Sequence, residues 1–453
     1  MATIACRAVT LLSVGVLSLV PYAARAQSVR SPDLLVVGAT PAGIAAAVTA
    51  ARAGETVMLT SATGDIGGTL TGAMMDQWDL NVAPDGSALQ GGIFAEIRSR
   101  LGDAFSPRAA RRTFASMLTA QPRISLRYGE VPISTASSAD HSGRRVDGVT
   151  FRDTRSGRLM FVHAPAIIDA TDSADVAVLA GARYDIGRQD TGVDEREQAV
   201  TEVFTVSGVN WTRLAESYQV RRYGHGGAGG RRAWGYARLL RRYRPASRDI
   251  IVRDLNFGLM SGGAVSVNAI DVCGINGLAP RALERAKRET QREAPRLVAF
   301  LRHHLRGFER AQVGMFAPSV YVRETRHIAG LERLTAQAVW LGHIPSDSIG
   351  LASYPLDLHP IVTTDEPAFA TKRHVYGVPF GALVPSGFTN ILLASPAISA
   401  SHVASGSVRT IPTTVEEGEA DALASVLARR TGLTFPELAA QPRRLVVVRR
   451  ATG

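Results

Sequence analysis

The feature that most constrains this chain is a six-residue turn, Gly38-Ala39-Thr40-Pro41-Ala42-Gly43, set between an apolar run and an alanine-rich one. Asp33 to Val37 reads as a short buried strand, Pro41 to Ala53 as a helix closed by Gly54, and Val57-Met58-Leu59 as a second strand. That order is the opening of a βαβ dinucleotide fold. Gly38 permits the tight turn, Gly43 permits close helix–strand packing, and the helix N-terminus offers free N–H groups to a pyrophosphate. Thr40 stands where the middle glycine is usual, and Pro41 fits the first helical turn because its missing N–H has no partner there anyway. At the end of the second strand, Thr60 and Ser61 replace the acidic residue that commonly takes the ribose hydroxyls; Ser61 is the expected substitute.

The remaining pattern predicts two or three domains in 453 residues. Residues 1–26 have the n, h and c regions of a signal peptide: Arg7, the apolar run Ala8 to Val20, and the small-x-small site Ala24-Arg25-Ala26. They predict a periplasmic or secreted protein with no transmembrane segment after cleavage. Further strands are expected at Ser125–Tyr128, Val146–Arg152, Ala166–Asp169 and Asn390–Ala394, with a helix from Pro412 to Arg429. A basic helix is expected from Pro280 to about Phe308, interrupted near Pro295. The fold class is therefore α/β, a Rossmann-type domain with a three-layer parallel sheet, split by an inserted α+β substrate domain. Its boundaries are read as 30–190 and 375–430 for the nucleotide-binding parts, 195–371 for the insert and 431–453 for a tail.

Composition excludes several classes. With 45% apolar and 20% charged residues the chain is globular and not disordered. Its two cysteines are Cys6, inside the signal, and Cys273, so neither an internal disulfide nor a zinc cluster is expected. Cys273 reads as a small buried hydrophobe, and no metal site is expected. The net charge of +11 rests on Arg far more than Lys and reads as spread along the chain. Eight Arg between residues 221 and 244, interleaved with Tyr223, Trp234, Tyr236 and Tyr243, resemble a nucleic-acid-binding tract. In an exported protein a solvated face is the better reading, and no nucleic-acid partner is expected.

With these residues in view, the chain resembles the bacterial FAD-dependent oxidoreductase family with a Gly-x-Thr-Pro-Ala-Gly opening. The likeness continues through the glycine pair Gly67-Gly68, the Asp169-Ala170-Thr171 stretch, Arg323-Glu324-Thr325-Arg326, Tyr354 to His359, Gly381 to Pro385, and the block from Ala397 to Arg409 with Ile411-Pro412-Thr413. The resemblance implies FAD, with its ADP half on Gly38, Thr40, Pro41, Ala42 and Gly43, and with Ser61, Gly67, Gly68, Thr171, Ser407, Ile411 and Pro412 around the cofactor. It puts the isoalloxazine near the C-terminal block. There His402 is the acid/base candidate for its titration range, and Arg409 and Arg326 are candidates for charge near the flavin and substrate. Trp78, in Asp76-Gln77-Trp78-Asp79, is either a pocket wall or core.

Three departures from the family pattern bear on how tightly FAD is held. They are Ser61 for the ribose carboxylate, Ser395-Pro396 for the usual Gly-Arg, and Glu416 to Asp421 for a less acidic helix start. The expected activity is hydride transfer from a small organic substrate to flavin N5. Without a second glycine motif for NAD(P)H, electrons would pass on to oxygen, a quinone or a carrier protein. The rivals are an NAD-dependent dehydrogenase, though no Tyr-x-x-x-Lys pattern supports one, and a non-catalytic periplasmic binding protein on a degenerate flavin fold.

Overall fold

The computed structural model describes residues 31–365, 368–369 and 373–452; the signal reading of residues 1–26 lies outside them. A five-stranded parallel sheet runs in the order Ile391–Leu393, Ala166–Asp169, Leu34–Val37, Val57–Ser61, Ile124–Tyr128. Leu34 pairs in register with Val57 on one side and with Ala166 on the other. The three central strands are apolar runs because a parallel sheet is covered on both faces.

The first helix, Pro41–Arg52, is buried from Pro41 to Ala51, which its small side chains permit. It packs along the helix Ile411–Thr431, where a Cβ on Gly418 would stand 2.1 Å from the backbone oxygen of Ala42. A three-stranded antiparallel meander, Glu130–Asp140, Gly143–Asp153 and Leu159–His163, adds Val146, Val149, Phe151, Met160 and Val162 to the same core. Two of these strands are absent from the sequence expectation, which placed only Val146–Arg152.

A second core gathers side chains from Val200 to Val320 around a six-stranded antiparallel sheet. Ile328, Leu334, Val339, Ile349 and Ala352, which also fall in the expected insert 195–371, pack into the first core instead. The long helix Pro280–His304 backs the second core with Leu297, Val298 and Leu301. It is continuous through Pro295, contrary to the expected interruption. Pro295 is exposed, where a helix tolerates a lost backbone bond by bending toward solvent.

The positive charge is also not spread along the chain. Twenty basic and eight acidic side chains fall between residues 204 and 316, a net of +12, which leaves −1 for all the rest. Among the described residues no helix is long and apolar enough to cross a membrane.

Candidate active site

The turn after the first strand is built so that only glycine fits at its two ends. Gly38 has φ +109°, and a Cβ there would lie 2.4 Å from the Ala170 carbonyl oxygen. A Cβ on Gly43 would lie 1.9 Å from the oxygen of Gly38. Thr40 is not a lost glycine but a working cap. Its hydroxyl accepts from the Gly43 N–H at 3.1 Å and donates to the Ala170 carbonyl at 3.0 Å, tying the helix start to the end of a neighbouring strand. The Gly67 N–H donates to the Ala39 carbonyl at 2.7 Å, which fastens the second glycine loop under the first turn.

Beside this turn lies a cavity of about 700 Å³, in the size range of a cofactor or ligand site. One wall comes from the ends of the parallel strands, with Gly38, Thr40, Ser61 and Thr171; the other comes from Pro318 to Arg326. A narrow extension, bounded by Pro41, Ala42, Tyr321, Pro396, Arg409 and Ile411, continues toward the start of the Ile411–Thr431 helix. The glycine cradle, the cleft volume and the helix N-termini at both ends fit a dinucleotide.

The structure thus brings Gly38, Thr40, Pro41, Ala42, Ser61, Gly68, Thr171, Arg326, Arg409 and Ile411 to the cavity or its extension. Gly43, Gly67, Pro412, Ser407 and His402 are not among the lining residues. Gly43 is consumed in helix–strand packing, and Gly67 abuts Phe114, whose ring a Cβ would meet at 2.8 Å. Pro412 is buried in the first helical turn. Ser407 is fully buried, bonded to the Tyr376 hydroxyl at 2.7 Å and donating to the Tyr354 carbonyl, so it has no free face for a cofactor. Ser61 is half committed: it donates to the Asp65 carbonyl at 2.6 Å within its own loop.

His402 is turned away from the role expected of it. Its Nδ1–H donates to Glu324 at 2.7 Å, and His327 donates to the same carboxylate oxygen at 2.8 Å. Burial raises the proton affinity of Glu324, but the two imidazoles outweigh it and hold the carboxyl at about 2. Glu324 lines the cavity and His402 supports it from behind. Glu324 was legible only as the acid inside the Arg323–Arg326 block, with His327 directly after that block.

Tyr321 is the other residue that the sequence reading missed. It borders both the cavity and its extension. Its hydroxyl accepts from Arg409 Nη1 at 2.8 Å, and the Arg323 guanidinium sits 4.8 Å from its ring centre. Arg409 also reaches Asp357 at 3.4 Å. Burial opposes ionisation of Asp357, yet His359, Arg409 and Arg253 keep it well below the usual carboxylate range. Arg323 is buried on the Ala199 carbonyl at 2.7 Å and beside Asp271 at 3.4 Å, and Arg326 is paired with Asp175 at 2.7 Å. Both arginines therefore brace the wall, while the Nε of each of Arg323, Arg326 and Arg409 has no partner.

Asp172 is open to the cavity yet ringed by protein. Desolvation, reinforced by the charge of Asp175, lifts its carboxyl to about 6. Trp78 is core, edge-on to Phe94 at 5.3 Å, with its indole N–H on the Gly102 carbonyl at 2.7 Å. Cys273 is buried and its thiol is pushed up to about 12, mainly by burial and then by Asp271, which leaves it inert.

A Rossmann turn with this cavity at the ends of its strands defines a dinucleotide-binding α/β protein. The chain belongs to the FAD dependent oxidoreductase family, whose sequence profile matches residues 33–446, so it is an oxidoreductase with FAD as its cofactor.

No curated protein matches the chain. Solved structures similar to it include p-nitrophenol 4-monooxygenase of Pseudomonas putida, at 12% identity and a TM-score of 0.46, covering 91% of this chain and 84% of that one. A geranylgeranyl bacteriochlorophyll reductase-like protein of Thermoplasma acidophilum is similar at 12% identity and a TM-score of 0.44, over 92% and 83% of the two chains. A probable FAD-dependent monooxygenase of Pseudomonas aeruginosa is similar at 13% identity and a TM-score of 0.41, over 91% of both.

Proposed function

We propose that this protein oxidises a small organic molecule by passing a hydride to flavin N5, and that the substrate enters between the Rossmann edge and the Pro318–Arg326 wall. The observation that carries this reading is the cleft of about 700 Å³ running from the glycine turn to Tyr321 and Arg326. When bound, FAD supplies the hydride acceptor. The protein's own share is positioning and proton handling. Gly38, Thr40 and Thr171 shape the strand-end floor that would hold the ADP half. The N-terminus of the Ile411–Thr431 helix sets a positive potential at the far end, to which buried Arg409 adds. Tyr321, held by Arg409, is the hydroxyl that meets the substrate, and Asp172 is a carboxyl able to exchange a proton near neutrality.

Membership of the family favours neither the NAD-dependent nor the non-catalytic rival. On the pattern of residues 1–26 we also propose that the protein works in the periplasm or is secreted. The electron acceptor is oxygen, a quinone or a carrier protein. Anaerobic mixing of the holoprotein with a panel of alcohols, amines and hydroxy acids tests the reading. Bleaching of the flavin by one class supports it, and a flavin that no member reduces while dithionite does would count against it.

A further inference from the structure

The Arg-rich tract between residues 221 and 244 is not a tail. It folds into the edge of the six-stranded sheet as the hairpin Gly227–Gly229 with Arg232–Gly235, flanked by the short helices Val220–Tyr223 and Ala237–Leu240. Three of the four aromatics that gave it a nucleic-acid look, the tyrosines, are spent inside. Tyr223 and Tyr236 are fully buried, Tyr243 is 7% exposed and bonded to Glu293, and none of these rings is free to stack on a base.

Arg232 turns inward onto Gln77 and the Trp78 carbonyl, but the other seven arginines of the tract remain outside and form a belt. Arg238 donates to the Arg221 carbonyl at 2.7 Å, which joins the two short helices. The second helix runs on into Arg241, Arg242 and Arg244, and Arg242 lies near enough to His304 for its charge to oppose protonation of that ring. Arg296 continues the belt along the long helix. All these arginines are exposed. Among the described residues Arg221, Arg222, Arg238, Arg241, Arg242 and Arg244 stand in no ion pair, and Arg296 meets only Glu293, at 3.8 Å. Two apolar side chains stand out in the same region: Val220 is 60% exposed and Trp234 is 43% exposed.

We propose that this belt docks the protein peripherally on an anionic phospholipid surface. The +12 net charge of residues 204–316, against −1 elsewhere, orients the inserted sheet toward such a surface and the Rossmann domain away from it. Exposed Trp and Val among unpaired arginines are the combination that settles into a headgroup layer, and no helix that spans a bilayer is needed. The buried tyrosines disfavour single-stranded nucleic acid.

The test is cosedimentation of the holoprotein with phosphatidylcholine vesicles, with and without phosphatidylglycerol, at low and high salt. Binding to the anionic vesicles alone, weakened by salt, is expected. Arg241→Gln with Arg242→Gln should lower the partition coefficient about 25-fold, taking about 5-fold per arginine near the surface. Trp234→Ser should lower it at high salt, and the flavin content of both variants should match the parent. Equal binding to neutral vesicles, no binding to anionic ones, an unaffected arginine variant, or tighter binding to duplex DNA than to vesicles would each overturn the proposal.

Discussion

His402 Nδ1 lies 2.7 Å from the carboxylate of Glu324, and this contact joins the C-terminal block to the wall of the cavity. With His327 on the same oxygen and the Gln198 N–H on the other at 3.1 Å, the buried carboxylate is held ionised by donors from three chain segments. Its folded value of about 2 lies below the ordinary 4.5, so its stabilisation is present above pH 4.5 and is lost as pH falls through 2. The shift corresponds to on the order of 3 kcal/mol. Glu324→Gln should lower the melting temperature at pH 7 and flatten its decline between pH 4.5 and pH 2, as thermal melts across that range will read. A variant curve parallel to the parent's would remove Glu324 from the acid response.

Asp421 shows the opposite behaviour. It is fully buried on the Ile411–Thr431 helix, neither carboxyl oxygen has a partner, and burial alone pushes its proton affinity well above the usual range. A raised folded value means that this group's contribution is fully present below pH 4 and is lost as pH rises toward that value, opposite in sign to that of Glu324. Asp421→Asn needs no proton to stay neutral. It should match the parent's melting temperature near pH 4 and exceed it at pH 8, by the equivalent of ~1–3 kcal/mol. Equal melting at both pH values would mean that the carboxyl finds water or a partner.

At the cavity, Tyr321→Phe removes one hydroxyl and leaves the ring beside Arg323. Flavin content should be unchanged, and the rate of anaerobic bleaching by the substrate should fall at least ~10²-fold if the hydroxyl handles the substrate proton. His402→Asn, which acts only behind Glu324, should slow bleaching by less than ~10-fold. Single-turnover kinetics on the two variants decide between them, and the reverse order would return the proton to His402.

How much of this the sequence disclosed depends on how local each constraint is. Gly38, Thr40 and Gly43 act within six residues, so the turn, its helix and the parallel sheet could all be read directly. The Glu324–His402 contact spans 78 residues of chain and exists only once the sheets are packed, so His402 alone drew notice and its place behind Glu324 went unread. The hairpin strands Gly227–Gly229 and Arg232–Gly235 look like loop because their extended form comes from pairing, Gly227 with Trp234, and not from their own propensity. Ser61 was read in place but its bond to Asp65 was not, since a serine's partner cannot be inferred from its position on a strand.

The central claim is that FAD rests on the Gly38–Gly43 turn, and the visible absorbance spectrum of purified parent and Gly43→Val protein tests it most directly. A Cβ at Gly43 already overlaps the Gly38 oxygen, and the branched valine forces helix and strand apart. The account predicts a yellow parent with the two-banded spectrum of oxidised flavin and one FAD per chain. It predicts a folded but colourless variant that does not quench added FAD. A colourless parent that fails to take up FAD, or a Gly43→Val protein that binds it as tightly as the parent, would contradict it.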